Sequence, residues 1–305
     1  MSDADRRLSP SRLATYGTCP RKYEYDAVWD VETPDESRRY LDRGLAYHAA
    51  IEETCNAVRE ADEAFSDEEI REYALDRVRA EWTARAKRSE YQSDAQFEYD
   101  RALTISAVES FFETDGIEHA RNSIATEKTV TYDRGDRHLK GRADNIVRTD
   151  DGLHIYDYKG SFNGIVSWRS ADSIPLHRNG EEYIAGKLKS LFQAAIYIEG
   201  AKNLDVYEPG MDVEFSFYAL LKNKTREGHP DGLQVSASGY PRDVTDIYEE
   251  YRDDIWAIIE DCYDGIVGER YEPSRFEEIR EHSCGDCDYR AMCSDYLSAE
   301  VRIDE

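Results

Sequence analysis

Two short segments constrain this chain more than any others: Gly141-Arg142-Ala143-Asp144 and Ile155-Tyr156-Asp157-Tyr158-Lys159. Each lies at the end of a run that reads as a β-strand, and the two runs are close enough to form a hairpin. Asp157 and Lys159 are two residues apart, so they point to the same face of their strand. Charged groups turned into a sheet face are costly unless something compensates them. Two carboxylates and an ammonium on adjacent strands compensate one another, and the carboxylates can hold a hard cation such as Mg2+ or Mn2+. Such an ion polarises a phosphodiester and lowers the pKa of a bound water. The plainer alternative is a salt bridge on an exposed strand. Asp-x-Lys alone does not decide between them; the Gly-Arg-x-Asp strand beside it favours the metal site.

The cysteines point to a second metal. Cys284-Gly285-Asp286-Cys287 and Cys293 crowd one end of the sequence, and Cys19 stands near the other. No apolar stretch follows Met1–Arg7, so no secretory signal is expected, and no run of roughly eighteen apolar residues is long enough to span a bilayer. An intracellular, cytoplasmic protein is expected, where six cysteines favour metal ligation or free thiols over disulfides. Four thiolates suit an iron–sulfur cluster or zinc, and spacing leaves both open. Cys55 and Cys262 lie in helical patterns beside apolar residues and read as small buried hydrophobes.

Charge sets a constraint of its own. Acidic residues number 65 against 39 basic ones, a net charge of −26. Alone, that argues against a nucleic-acid partner. The acid is spread over the predicted helix surfaces, as in Glu68-Glu69, Glu249-Glu250, Asp253-Asp254 and Glu277-Glu278, and arginine outnumbers lysine. That is the look of a protein from a salt-accumulating halophile. In molar salt the Debye length is about 3 Å, so the net charge no longer repels DNA at a distance. The alternative is an ordinary acidic cytosolic protein.

Along the chain, Ser9 followed by Pro10 predicts a capped short helix, ending at Cys19-Pro20. Residues 36–62 read as a helix with Leu45, His48, Ile51 and Cys55 on one face. Ser66-Asp67-Glu68-Glu69 is a capping box for a helix to about Ser89, and another runs from about Ala95 to Thr114. Strands are predicted at Ala125–Asp133, Arg137–Arg148 and Leu153–Lys159. An irregular insertion over 160–179 follows, then a helix at Glu181–Ala201. Strands at Met211–Lys222 and Leu233–Ser238 flank a Gly228-His229-Pro230-Asp231-Gly232 turn, and Pro241–Gly265 reads as a last long helix. The order predicts an α/β or α+β core with a helical N-terminal elaboration.

At this point the residues resemble a family. Gly141-Arg142-x-Asp144, Asp157-Tyr158-Lys159 and Gln193-x-x-x-Tyr197 are similar to the successive motifs of PD-(D/E)XK nucleases of the RecB type. Gly44-Leu45-Ala46-Tyr47-His48 resembles that group's Gly-x-x-x-His helix motif. Leu8-Ser9-x-Ser11-Arg12-Leu13-x-x-Tyr16-x-x-Cys19-Pro20 resembles the start of the nuclease domain in AddB and in CRISPR-associated RecB-like exonucleases. The resemblance spans about residues 8–296. It implies a restriction-endonuclease-like core, a mixed central sheet flanked by helices, within a single domain over 1–305. The helical elaboration would be 36–120 and the catalytic core 121–265. It further implies that His48, Asp144 and Asp157 ligate the metal and that Lys159 serves the attacking water. Gln193 and Tyr197, one turn apart, would bind the DNA backbone or steady Lys159, with Arg142 also facing substrate. Glu127 and Glu52 could join the acidic cluster. Cys19, Cys284, Cys287 and Cys293 match the pattern those exonucleases use for a 4Fe–4S cluster, which favours iron–sulfur over zinc. Gly160-Ser161 replaces the usual Thr-Gly after the lysine, and the segment before Gln193 is longer than in compact members.

The activity implied is divalent-metal-dependent DNA hydrolysis leaving 5′-phosphates, with single strands or duplex ends as substrate. A CRISPR integrase would be the partner in spacer acquisition, or a helicase in repair. The alternative is a non-catalytic DNA-binding or assembly subunit that kept the fold; a third reading is a zinc-clasped interaction protein. Arg21-Lys22, Lys140, Arg142, Arg169, Lys187, Lys189, Lys222 and Lys224 are expected to line the DNA path, with Trp168, Tyr158 and Phe162 as stacking candidates.

Overall fold

The structure, a computed structural model, describes residues 7–33, 39–229 and 232–300. The expectations for residues 1–6, the first residues of the 36–62 helix and the Pro230-Asp231 tip lie outside them. Five strands form one mixed sheet in the order β1-β2-β3-β4-β5: β1 (Ser123–Arg134), β2 (Arg137–Arg148), β3 (Gly152–Lys159), β4 (Asp212–His229) and β5 (Gly232–Asp243). Neighbours are antiparallel except β3 and β4, which are parallel. A parallel pair needs a long crossover, and here it passes through three helices, α7 (Trp168–Ala171), α8 (Ser173–Arg178) and α9 (Ala185–Ala201). The region read as irregular thus contains α7 and α8.

Helices cover both faces. On one, α9 is buried almost all round, as its near-continuous apolar sequence requires. It packs with α1 (Pro10–Thr18) and α11 (Arg252–Val267) against Ile155, Phe215 and Phe217. The other face carries α3 (Arg39–Glu60), α4 (Asp67–Arg85), α5 (Asp94–Glu113) and α6 (Gly116–Asn122), packed on Tyr158, Tyr218 and Leu220. Local chemistry sets the helix starts. Ser9 Oγ accepts from Arg12 N at 3.4 Å ahead of Pro10. Ser66 and Glu69 close the expected capping box, with Glu69 Oε2 accepting from Ser66 N at 2.7 Å.

Two boundaries differ from expectation. Residues 241–243 belong to β5 rather than to a helix; α10 (Thr245–Glu250) and α11 follow separately. Pro241 lacks an N–H, but β5 is an edge strand, where that loss is tolerated. The β4–β5 ribbon also runs further than predicted, because Lys222–Glu227 are exposed and carry no apolar alternation to announce a strand. No helix among the described residues is long and apolar enough to cross a membrane.

Candidate active site

The site forms where β2 and β3 part. Their ladder runs from Arg148↔Leu153 to Asn145↔Tyr156 and stops there. At the next position Asp144 Oδ2 accepts from Tyr158 N at 2.7 Å, so a carboxylate replaces the carbonyl that a continuing ladder would supply. Asp144 and Asp157 therefore flank the opening. Beyond it, Leu8 takes the vacated edge of β2: its N–H donates to His138 O and its carbonyl accepts from Lys140 N, both at 3.0 Å.

Alternation along β3 divides the labour. Tyr158 turns to the helical elaboration, buried, hydrogen-bonded to Asn145 at 3.1 Å and to His119 at 2.9 Å. It is therefore part of the core and offers no stacking surface. Asp157 and Lys159 turn to the α9 face. Asp157 is buried; its Oδ2 accepts from Gln193 Nε2 at 2.6 Å, and its Oδ1 is ion-paired with the Lys159 ammonium without hydrogen-bond alignment. Gln193 in turn donates to Tyr197 Oη (3.2 Å), and Tyr197 donates to Arg142 O (3.0 Å). Both side chains are buried and contact Asp157 and the β2 backbone rather than solvent. Gln193 thus reaches Asp157, the ion-pair partner of Lys159, and Tyr197 supports Gln193 from the β2 backbone. Gly141 makes this possible, because a Cβ there would come within 2.1 Å of the Tyr197 ring.

From the opposite layer, α3 brings His48 Nδ1 to 3.3 Å from Asp144 Oδ2. Ligand atoms of His48, Asp144 and Glu127 lie within 4.8 Å of one another, while Asp157 stands beside them, held by Gln193 and Lys159. Glu127 has a φ of 48°, rare for a residue with a side chain, and is skipped in the ladder between Thr126↔Asn145 and Lys128↔Ala143. The outlying backbone turns its carboxylate toward Asp144 and toward Arg142, whose Nε lies 2.5 Å from Oε2. Arg142 is otherwise exposed.

Burial holds the His48 pKa down at about 4, so the imidazole is neutral and has a lone pair to give. Asp144 is pushed well above the usual carboxylate range, first by burial and then by Asp157, with Lys159 opposing. For Lys159 burial works downward, but Asp157 and Asp144 outweigh it and raise the ammonium's pKa. One neutral imidazole among crowded carboxylates is a donor set that fits a divalent cation.

Asp144 therefore stabilises the fold only while protonated. That contribution is complete below its unfolded value of about 3.9 and is lost as pH rises through its raised folded value. His48 acts oppositely, costing stability as pH falls below about 6.5. In metal-free protein, Asp144→Asn is expected to raise stability at neutral pH by about 0.5–2 kcal/mol and to remove the decline on the alkaline side of about pH 4. Chemical denaturation of both proteins with chelator, at acid and at neutral pH, checks this. An Asp144→Asn variant no more stable than wild type at neutral pH would contradict it.

The cysteines come together as a second cluster. Cys19 caps the junction of α1 and α2 (Pro20–Tyr23). Cys284, Cys287 and Cys293 lie on successive turns between α12 (Phe276–His282) and α13 (Ser294–Glu300), linked by Cys287 N to Cys284 O at 3.3 Å. All four are free thiols lining one cleft with Tyr25, Phe276 and Tyr289. Burial raises the thiols of Cys19 and Cys284, and the neighbouring cysteines add to it. Among the described residues no three of these sulfurs lie within 4.8 Å of one another. Cys55 and Cys262 are buried apart from this cleft.

Residues 7–294 match the sequence model of the PD-(D/E)XK nuclease superfamily, and the chain belongs to it. No curated protein matches the chain. The mixed sheet between helical layers is consistent with the core of that superfamily, whose members are generally metal-dependent nucleases.

Proposed function

We propose that this protein is a RecB-type DNA exonuclease, dependent on Mg2+ or Mn2+ and clasped by a 4Fe–4S cluster. The observation that carries the reading is the convergence of His48, Asp144, Asp157 and Lys159 on the gap between β2 and β3. His48, Asp144 and Asp157 would hold the metal. When bound, the ion supplies Lewis acidity at the phosphate and a more acidic water. Lys159, charged and fixed against Asp157, orients the water or meets the charge developing on the phosphate. Gln193 and Tyr197 are positioning residues acting through Asp157, and Arg142 is the exposed cation placed to meet a phosphate.

For the clasp, four free thiols line one cleft, and the likeness of Cys19-Pro20 and the Cys284–Cys293 spacing to the pattern of RecB-like exonucleases supports 4Fe–4S over zinc. Such a cluster would join the N-terminal helices to the C-terminal turns. The biological setting would be CRISPR spacer acquisition beside an integrase, or end processing beside a helicase, and the acidic surface suits a salt-rich cytoplasm.

The test is cleavage of end-labelled single-stranded and duplex DNA by protein purified without oxygen, in molar KCl with Mn2+ or Mg2+. Metal-dependent shortening from the ends is expected. A folded, iron-loaded protein that cuts with neither metal would sink the reading in favour of an assembly subunit.

A further inference from the structure

Strand register extends the site sideways. Asp157, Phe217 and Arg242 pair across β3, β4 and β5, as do Lys159, Ala219 and Tyr240. Each row lies on one sheet face, and strands are about 4.8 Å apart, so Arg242 and Tyr240 stand roughly 10 Å from the two catalytic positions. Apolar Phe217 and Ala219 lie between. Phe162, three residues after Lys159, covers this ground: its ring centroid is 3.9 Å from the Arg242 guanidinium, 6.0 Å from Lys222 Nζ and 5.3 Å from the Tyr240 ring. Lys187 joins them, donating to Ile165 O at 3.1 Å, while Arg242 donates to Val166 O at 3.4 Å.

Two properties set this strip apart. Most arginines here are paired with carboxylates, as an acidic chain predicts, yet among the described residues Arg242 has no carboxylate within ion-pair distance; Lys187 and Lys222, like most lysines of the chain, have none either, and here they gather around it. Burial lowers the Lys187 pKa, and the neighbouring Arg242 charge lowers it further, so like charges are gathered without a counter-ion. The second property is aromatic exposure: Tyr240 is 42 % exposed and Trp168, beside Arg242 in the adjoining cleft, 52 %.

We propose that Phe162, Tyr240, Trp168, Lys187, Lys222 and Arg242 form a binding strip for single-stranded DNA leading to the β2–β3 gap. The inference rests on the nuclease reading and narrows its substrate. Unpaired cations meet the phosphates. Exposed rings meet bases, whose faces are available only in an unpaired strand. A duplex offers the rings nothing, because its bases are already stacked on each other.

The test measures binding of fluorescein-labelled oligo-dT and of a blunt duplex by anisotropy, with Ca2+ as the divalent ion, over a series of KCl concentrations. Tyr240→Ala is expected to weaken oligo-dT binding roughly 5- to 100-fold, the effect of one base losing an aromatic face. Its salt slope and duplex binding should not change, and Tyr240→Phe should restore the affinity. Arg242→Ala should lower the salt slope for oligo-dT by about 0.7. Both side chains are on an edge strand, and unchanged melting temperatures will exclude misfolding. Oligo-dT binding like wild type in both variants, or equal losses for strand and duplex, would overturn the strip. A wild type that binds oligo-dT through Tyr240 and Arg242 but cuts nothing would retain the strip and remove the nuclease reading. A wild type that cuts DNA while Tyr240→Ala and Arg242→Ala both bind oligo-dT normally would do the reverse.

Discussion

Replacing Lys159 with alanine is expected to lower the single-turnover cleavage rate by about 100- to 1,000-fold, the cost of removing one preorganised group that meets charge in a transition state. Metal binding should persist. Among the described residues Lys159 is the only cation in ion-pair contact with Asp157, and without it the buried carboxylate keeps the hydrogen bond from Gln193 but no opposite charge. Breaking a buried pair from one side costs about 3–5 kcal/mol when the remaining charge is fully buried. Lys159 itself is 30 % exposed, so the cost here should fall below that range. The metal-free variant should therefore melt lower than wild type, and Mn2+ should stabilise it by a larger increment, because the ion now meets a charge the ammonium had neutralised. Single-turnover assays and melting curves with and without Mn2+ check both halves. A rate within about tenfold of wild type would remove Lys159 from the chemistry. A smaller Mn2+ increment would move the metal away from Asp157.

The second large effect concerns the cysteine cleft. Cys287→Ser is expected to abolish iron binding and brown colour and to lower the melting temperature by roughly 10 °C or more. Ligand binding absent from the unfolded chain counts wholly toward stability, and about 2–4 °C is lost per kcal/mol in domains of 150–250 residues. Cys19→Ser should do the same although it lies at the other end of the sequence, which separates one shared cluster from a local C-terminal site. Cys262→Ala should leave the iron content at its wild-type value, since Cys262 lies outside the cleft. Iron analysis, visible absorption and thermal melts decide it. Stoichiometric zinc in a colourless wild type would overturn the iron–sulfur assignment while keeping the clasp.

Much of the site was legible because it is written in short-range chemistry. Alternation placed Asp157 and Lys159 on one face, and the Gly141–Asp144 strand beside them follows from turn residues and β-branched runs. The capping pairs at Ser9 and Ser66 announced their helices for the same local reason. Other features depend on partners far away in sequence. Nothing local shows that Gln193 and Tyr197 face inward, since an amide and a phenol suit DNA or a buried carboxylate equally. Glu127 enters the cluster through an outlying φ that composition does not signal. Tyr240 and Arg242 were hidden by a proline read as a helix start, when edge-strand tolerance was the stronger rule. Gly141 reads as a motif residue, but only the Tyr197 ring packed over it explains why a side chain cannot stand there.

The parallel pairing of β3 with β4 has a consequence for how the enzyme comes into being. Asp157 and Lys159 are synthesised before the strand that fixes β3 on its outer side, and β3 can pair with β4 only after the intervening segment with its three helices has been made. Contacts of such sequence separation form late and slowly, because loop entropy is spent before any pairing rewards it. A nascent chain ending short of Asp212 can already hold the β1–β2–β3 meander and every proposed metal ligand, yet have β3 as a free edge. Catalytic competence should therefore emerge in one late step, when β4 docks, rather than build up strand by strand.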